Sequence, residues 1–137
     1  FALGIKAAVP EKKVALITGD GAFGMNFMEF ETAIRHNLPF VAVVCNDEGW
    51  GMTKHQMWIS FGKKTPTVGV GLPFTPFHEL AKVLGGYGEM VTDPINLEKA
   101  VGRGIASGVP AIINVKTDPD AISRATYGLT EMMTPKD

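Results

Sequence analysis

Apolar residues fall along this chain in two alternating patterns, short unbroken runs and longer stripes at helical spacing. Val14–Thr18 is an apolar run stopped by Gly19, and it predicts a strand buried on both faces. Gly19-Asp20-Gly21 is too flexible to extend that strand. Asn26 with Glu29 three residues on reads as a helix N-cap, and Phe27, Phe30 and Ile34 repeat at helical spacing until Leu38-Pro39 ends the helix. Phe40–Cys45 is the second apolar run, and Asn46-Asp47-Glu48-Gly49 is its turn. Further on, Thr75 is expected to cap a helix over Pro76–Leu84, with Pro76 at its first position, and Gly85-Gly86 stops it. Tyr87–Thr92 reads as a strand. Asp93-Pro94 then opens a helix with Leu97, Ala100, Val101, Gly104 and Ile105 as its buried stripe. Gly108 ends that helix, Pro110 follows, and Ala111–Lys116 is the last strand.

Strands alternating with helices predict an α/β fold: a doubly wound parallel sheet with helices on both faces. Residues 1–137 read as one domain, with Phe1–Val9 the end of a helix closed by Pro10. Two segments lack periodicity. Thr53–Thr75 reads as a long irregular loop holding His55 and Trp58. The tail, residues 118–137, is expected to drape over a neighbour or to be disordered. The loop either borders a ligand pocket or is a surface excursion whose Met57 and Trp58 pack down on the body. His55 is not read as an acid or base, His36 and His78 are expected at the surface, and Lys63-Lys64 reads as a solvated pair.

The first two strands and the helix between them make a parallel βαβ unit, and such units bind ligands at the carboxyl ends of their strands. Asp20 and Asp47 both fall there. Gly19 to Gly24 also fits G-x-G-x-x-G, which would make Asp47 a ribose-binding acid of a dinucleotide site. Asp20 argues against that reading. It lies between the first two glycines, where a carboxylate repels a diphosphate unless a divalent cation stands between them. With a cation, the two carboxylates, a backbone carbonyl of the turn and a diphosphate make a hard oxygen set suited to magnesium, or to calcium in a looser cage. The N–H groups of the glycine loop and of the helix start would hold the remaining phosphate charge.

These residues carry a family resemblance. Gly19-Asp20-Gly21, an amphipathic helix and Asn46-Asp47 closing the next strand resemble the cofactor motif of thiamine-diphosphate-dependent enzymes. ALGIKAAVPEKKVALITGDGAF before it and GWGM after it match as well, as do LGGYGEMVTDP and PAIINVKTDP downstream. The similarity is greatest to the pyrophosphate-binding domain of the acetolactate-synthase-like and benzaldehyde-lyase-like branch, and so implies the thiamine-diphosphate-binding fold. The family usually has a second Asn where this chain has Asp47; aspartate keeps the ligating oxygen and adds a charge. The resemblance implies that Asp20 and Asp47 bind the metal through side chains and Gly49 through its carbonyl. It implies that Gly19, Gly21, Ala22 and Phe23 follow the diphosphate, with Trp50, Gly51 and Met52 beside it. The implied cofactors are thiamine diphosphate and Mg2+, with Ca2+ as the alternative ion.

The resemblance further implies a lyase or transferase acting on 2-keto acids or related carbonyl compounds by decarboxylation or carboligation. No residue here matches the family's activating glutamate, which lies in a different domain, so no catalytic residue is assigned and the isolated chain is expected to be inactive. The implied partner is the pyrimidine-binding domain of a second subunit, in a homodimer or homotetramer. Two upstream domains are implied, and the chain reads as a C-terminal piece of a longer polypeptide. Rival readings are a 2-hydroxyacyl-CoA lyase or oxalyl-CoA decarboxylase, a dinucleotide-binding module, and a non-catalytic domain kept for assembly.

Composition narrows this little further. The chain has 137 residues, 45% hydrophobic, with a formal net charge of −1, which fits a globular domain with its own core and gives no basic surplus for nucleic acid. No apolar stretch approaches membrane-spanning length. Cys45 is the single cysteine, so no internal disulfide can form; it reads as a small buried side chain, and a cytoplasmic setting is expected.

Overall fold

The computed structural model describes residues 1–133. Its centre is a four-stranded, all-parallel sheet: β1 (Ala15–Gly19), β2 (Val41–Asn46), β3 (Tyr87–Val91) and β4 (Ala111–Lys116), in the order β1-β2-β4-β3. Helices lie on both faces, as the alternating pattern predicts. One face packs α1 (Ala2–Ala8), α2 (Asp20–Met25), α3 (Glu29–Arg35) and α5 (Phe77–Val83) around Phe23, Phe30, Phe77, Val44 and Ile112. The opposite face packs α6 (Leu97–Ala106) on Val41, Val43, Val91 and Ile113. The helix α4 (Gly51–Phe61) pairs with α7 (Arg124–Met133). Central strands β2 and β4 read as continuous apolar runs because both of their faces are covered.

Several sequence expectations are corrected. Strand β1 is not buried on both faces: it is an edge strand paired only with β2, and Ile17 is 76% exposed. Asn26 is not an N-cap. The chain turns into α2 directly at Asp20, Asn26 closes α2, and α3 begins at Glu29 without a side-chain cap. Thr75 does not cap α5 through its side chain either; its carbonyl accepts from Phe77 N–H instead. Asp93 does accept from Ile95 N–H, but it caps a short 3-10 turn, Pro94–Asn96, that leads into α6. Of the α6 stripe, Ala100 and Gly104 are buried, whereas Ile105 is exposed.

The largest departures are the two segments without periodicity. Thr53–Thr75 is not one long loop: most of its first half belongs to α4. Residues 124–133 form α7, entered through Ser123, whose hydroxyl accepts from Thr126 N–H at 3.2 Å. Residues 134–137 of the expected tail lie outside the described residues. His55 anchors the two segments to each other. It is 5% exposed, its Nε2 donates to the Pro119 carbonyl at 2.9 Å, and its ring lies 5.4 Å from that of Trp58. Lys63 is not merely solvated: its Nζ meets Asp120 at 2.8 Å and lies over the Trp58 ring. His78 is not a surface residue, since its side chain is 13% exposed and bonded within a buried network.

Candidate functional site

The carboxyl ends of β1 and β2 deliver the two acids to one place. Asp20 is the first residue of α2, immediately after β1, and is 3% exposed. Its Oδ2 accepts from Gly49 N–H at 3.1 Å, so it bridges directly to the turn after β2. Its Oδ1 is buried and has no hydrogen-bond partner among the described residues. Burial, ahead of the neighbouring Asp47 charge, pushes the Asp20 carboxyl above the ordinary carboxylate range, while N–H donors from Gly21 and Gly49 pull the other way. A buried carboxylate with an orphaned oxygen beside a second acid is a costly arrangement for a chain to keep without a positive partner.

The turn carrying Asp47 is held in an unusual shape. Glu48 has φ 58°, the left-handed region that non-glycine residues rarely adopt. It is held by Leu72 N–H on its carbonyl at 2.8 Å, and Trp50 N–H reaches the Val70 carbonyl at 2.8 Å. A Cβ on Gly49 would approach the Val70 carbonyl oxygen to 2.9 Å, so this close pairing with the residue 70–72 segment needs glycine. Gly51 is constrained in the same way. It begins α4 with the Asp47 carboxylate so near that a Cβ would collide with it, which places an acid at a helix N-terminus, where the dipole favours it.

The Trp50 indole lies against Gly21, where an added Cβ would stand 3.0 Å from the ring. The starts of α2 and α4 therefore meet in one cleft of about 820 Å³. Gly19, Gly21, Ala22, Asp47, Gly49, Trp50, Gly51 and Met52 line it. Asp20 itself does not line it, but is buried between Gly19 and Gly21 and bonded to Gly49, all three of which do. Phe23 does not contribute a side chain, because its ring packs in the core against Phe27 and Phe77. Only its backbone can serve the cleft. As α2 begins at Asp20, the N–H groups of Gly21 and Ala22 belong to its first turn, where intrahelical acceptors are missing. Among the described residues no group of three or more His, Cys, Asp or Glu side chains could by itself hold a metal ion, so a cation here would need main-chain and ligand oxygens besides the two acids.

Of the two readings of Thr53–Thr75, the pocket-bordering one holds for Thr53 and His55 of α4, which line the same cleft. Sequence reasoning missed the rest of the far wall: Thr117, Asp118 and Ala121 after β4, and Ser123 and Thr126 at the start of α7. Their approach depends on α4 and α7 packing together, and the residues that α7 buries, Thr126 and Thr130, are polar. Cys45 also lines the cleft, half-buried, and burial pushes its thiol up, followed by the charges of Asp47 and Asp20. It is therefore a weak nucleophile. No helix among the described residues is long and apolar enough to cross a membrane.

Comparison with known proteins places this architecture. The chain is 44% identical over 119 residues to a probable acetolactate synthase of Mycobacterium bovis, covering 87% of this chain and 21% of that protein. It is 32% identical over 120 residues to 2-hydroxyacyl-CoA lyase 2 of Bos taurus, covering 84% of this chain and 18% of the relative. The chain thus spans about a fifth of the length of the curated relatives it matches. A solved thiamine diphosphate-dependent 4-hydroxybenzoylformate decarboxylase of Rhodococcus jostii RHA1 superposes with a TM-score of 0.76 at 26% identity, over 85% of this chain and 22% of that one. Residues 1–115 match the family described as thiamine pyrophosphate enzyme, C-terminal TPP binding domain. The chain belongs to the thiamine pyrophosphate enzymes, as their C-terminal TPP-binding domain.

Proposed function

We propose that this domain binds thiamine diphosphate through a divalent cation, with magnesium the expected ion, and serves a larger acetolactate-synthase-like enzyme acting on 2-keto acids. The observation that carries the metal is the Asp20 carboxylate, buried with one oxygen orphaned and a second acid alongside. A cation would satisfy that oxygen and cancel the repulsion, and two carboxylates with a turn carbonyl form a hard donor set suited to Mg2+. In this reading Asp20 and Asp47 hold the cation by side chains and Gly49 by its carbonyl. The N–H groups of Gly21, Ala22 and Phe23 face the diphosphate, and Trp50, Gly51 and Met52 flank it. When bound, thiamine diphosphate supplies carbanion stabilisation at a carbonyl carbon. The chain's own part is to bind and orient the cofactor, and the α4–α7 wall narrows the cleft's access to water.

Identity of 44% over 119 residues to a probable acetolactate synthase supports that branch over the 2-hydroxyacyl-CoA lyases, which match at 32–40% over 88–124 residues. The short share of each relative supports further domains in the working enzyme, including a pyrimidine-binding domain from a second subunit in a dimer or tetramer. A cytoplasmic location is part of the same proposal. The test is turnover by the full polypeptide that carries this domain, with magnesium and thiamine diphosphate. Release of carbon dioxide from pyruvate with formation of a carboligated product is expected. Cleavage of a 2-hydroxyacyl-CoA in place of pyruvate would shift the assignment to the lyase branch, and turnover by the isolated 137-residue chain would refute the need for a partner domain.

A further inference from the structure

Apart from two asparagines, the buried residues of the sheet are apolar. Asn46 ends β2 at 2% exposure, and Asn114 lies in the middle of β4 at 0%. Their neighbours on the two strands are mostly Val, Ile and Ala, so a polar pair here is the more demanding choice and requires complete hydrogen bonding. That requirement is met. Asn114 Nδ2 donates to His78 Nδ1 at 3.3 Å and to the Thr75 carbonyl at 3.3 Å. Asn114 Oδ1 accepts from Asn46 Nδ2 at 3.3 Å, and the same Nδ2 reaches the Thr75 carbonyl at 3.1 Å. Asn46 Oδ1 is left to accept Glu48 N–H at 3.3 Å.

The order of these bonds has direction. His78 Nε2 lies 3.3 Å from Glu79 Oε1, which places the imidazole proton on Nε2 and leaves Nδ1 as the acceptor. An accepting Nδ1 and the Thr75 carbonyl together fix which end of the Asn114 amide faces His78, and Asn114 with the same carbonyl then fixes which end of the Asn46 amide faces the turn. The last bond falls on Glu48, the residue held at φ 58° just before Gly49 and Asp20 meet. A left-handed glutamate persists only where its surroundings over-determine it.

We propose that His78 and Asn114 are positioning residues for the acidic turn: they orient the Asn46 carboxamide so that it holds Glu48 in the left-handed conformation presenting Asp47 and Gly49 to the cation and diphosphate. The inference rests on the cofactor reading for its ligand, while the geometry of the turn can be measured without any ligand.

The experiment uses the full polypeptide that carries this domain and compares the wild type with His78→Leu, which removes the acceptor, and His78→Gln, whose side-chain oxygen can accept in its place. Site-resolved amide hydrogen exchange is followed at Glu48 and Gly49, with Val43 and Ile113 as sheet controls. Calorimetric titration with magnesium and thiamine diphosphate gives the affinity. His78→Leu should raise exchange at Glu48 and Gly49 by at least about tenfold with the controls unchanged. It should also weaken the affinity about tenfold, and His78→Gln should recover both. Unchanged exchange at Glu48 and Gly49 in His78→Leu, or a His78→Gln that behaves like His78→Leu, overturns the proposal. If His78→Leu loses protection across the whole sheet, Asn114→Ser, which shortens the relay without adding bulk, takes its place in the comparison under the same criteria. A wild-type full polypeptide that binds no magnesium and thiamine diphosphate would refute the cofactor reading, and the exchange pattern would still decide the positioning role.

Discussion

Asp20→Asn should stabilise the ligand-free chain while destroying its ability to hold the cation. In the wild type Asp20 Oδ2 already accepts Gly49 N–H, and its buried Oδ1 faces the neighbourhood of Asp47 with no donor to meet it. Asparagine keeps an oxygen for Gly49 and puts an N–H2 where the orphaned oxygen was, within reach of the Asp47 carboxylate. Replacing that acid–acid contact with a hydrogen bond to a charged group is worth about 1.5–3 kcal/mol at neutral pH. For a chain of this size that is a rise of roughly 4–10 °C in Tm. The pH dependence has a definite sign. The folded-state pKa of Asp20 is raised above 3.8, so the ionised group destabilises the fold above that raised pKa. The penalty is relieved as pH falls through it, and the advantage of the variant should shrink toward zero near the ordinary carboxylate pKa. Thermal unfolding followed by circular dichroism at neutral and acidic pH measures both. Magnesium with thiamine diphosphate at about one thousand times Kd should add roughly 4.1 kcal/mol to the wild type and nothing to the variant, reversing their order. A ligand-free variant less stable than wild type at neutral pH, or a gap that does not close on acidification, would refute this account of Asp20.

Other substitutions probe the rest of the site. Asp47→Asn should keep magnesium and cofactor affinity within about tenfold, or roughly 1.4 kcal/mol, whereas Asp47→Leu should abolish binding by calorimetry. Gly21→Ala would put a Cβ 3.0 Å from the Trp50 ring and should push the ring away, changing tryptophan emission and costing about 1–3 kcal/mol in urea unfolding. Gly88→Ala places a Cβ against the His78 carbonyl, a backbone atom that cannot move aside, so loss of more than about 3 kcal/mol or outright failure to fold is expected. Lys63→Ala removes an exposed pair with Asp120 and the ammonium over the Trp58 ring, so only a small change in thermal unfolding is expected.

Much of the fold was legible because its strands are punctuated. Glycine or a turn follows each apolar run, and Gly85 and Gly108, both at positive φ, stop helices where the sequence says they should. The acidic pair was legible for the same reason, since a βαβ unit forces successive strand ends together. What escaped were elements whose burial is not apolar. Helix α4 has His55 as its one buried residue, and its Met and aromatic positions are spread around the axis, so no stripe marks it. Helix α7 turns Thr126 and Thr130 inward, small polar residues with Thr130 Oγ1 bonded back to the Thr126 carbonyl. Hydrophobic spacing is blind to such a face. Ile17 fails in the other direction: an apolar run cannot reveal that its strand lies at the sheet's edge. The Asn46–Asn114–His78 relay was hidden because its members are far apart in sequence, and only the pairing of β2 with β4 and the packing of α5 on β4 bring them together.

The central claim is that Asp20 and Asp47 hold thiamine diphosphate through a metal, and calorimetric titration with and without magnesium tests it most directly. The account predicts saturable binding of thiamine diphosphate with magnesium, little or none after chelation, and none in Asp20→Asn under either condition. Equal binding with and without a divalent cation, or undiminished binding by Asp20→Asn, would contradict it.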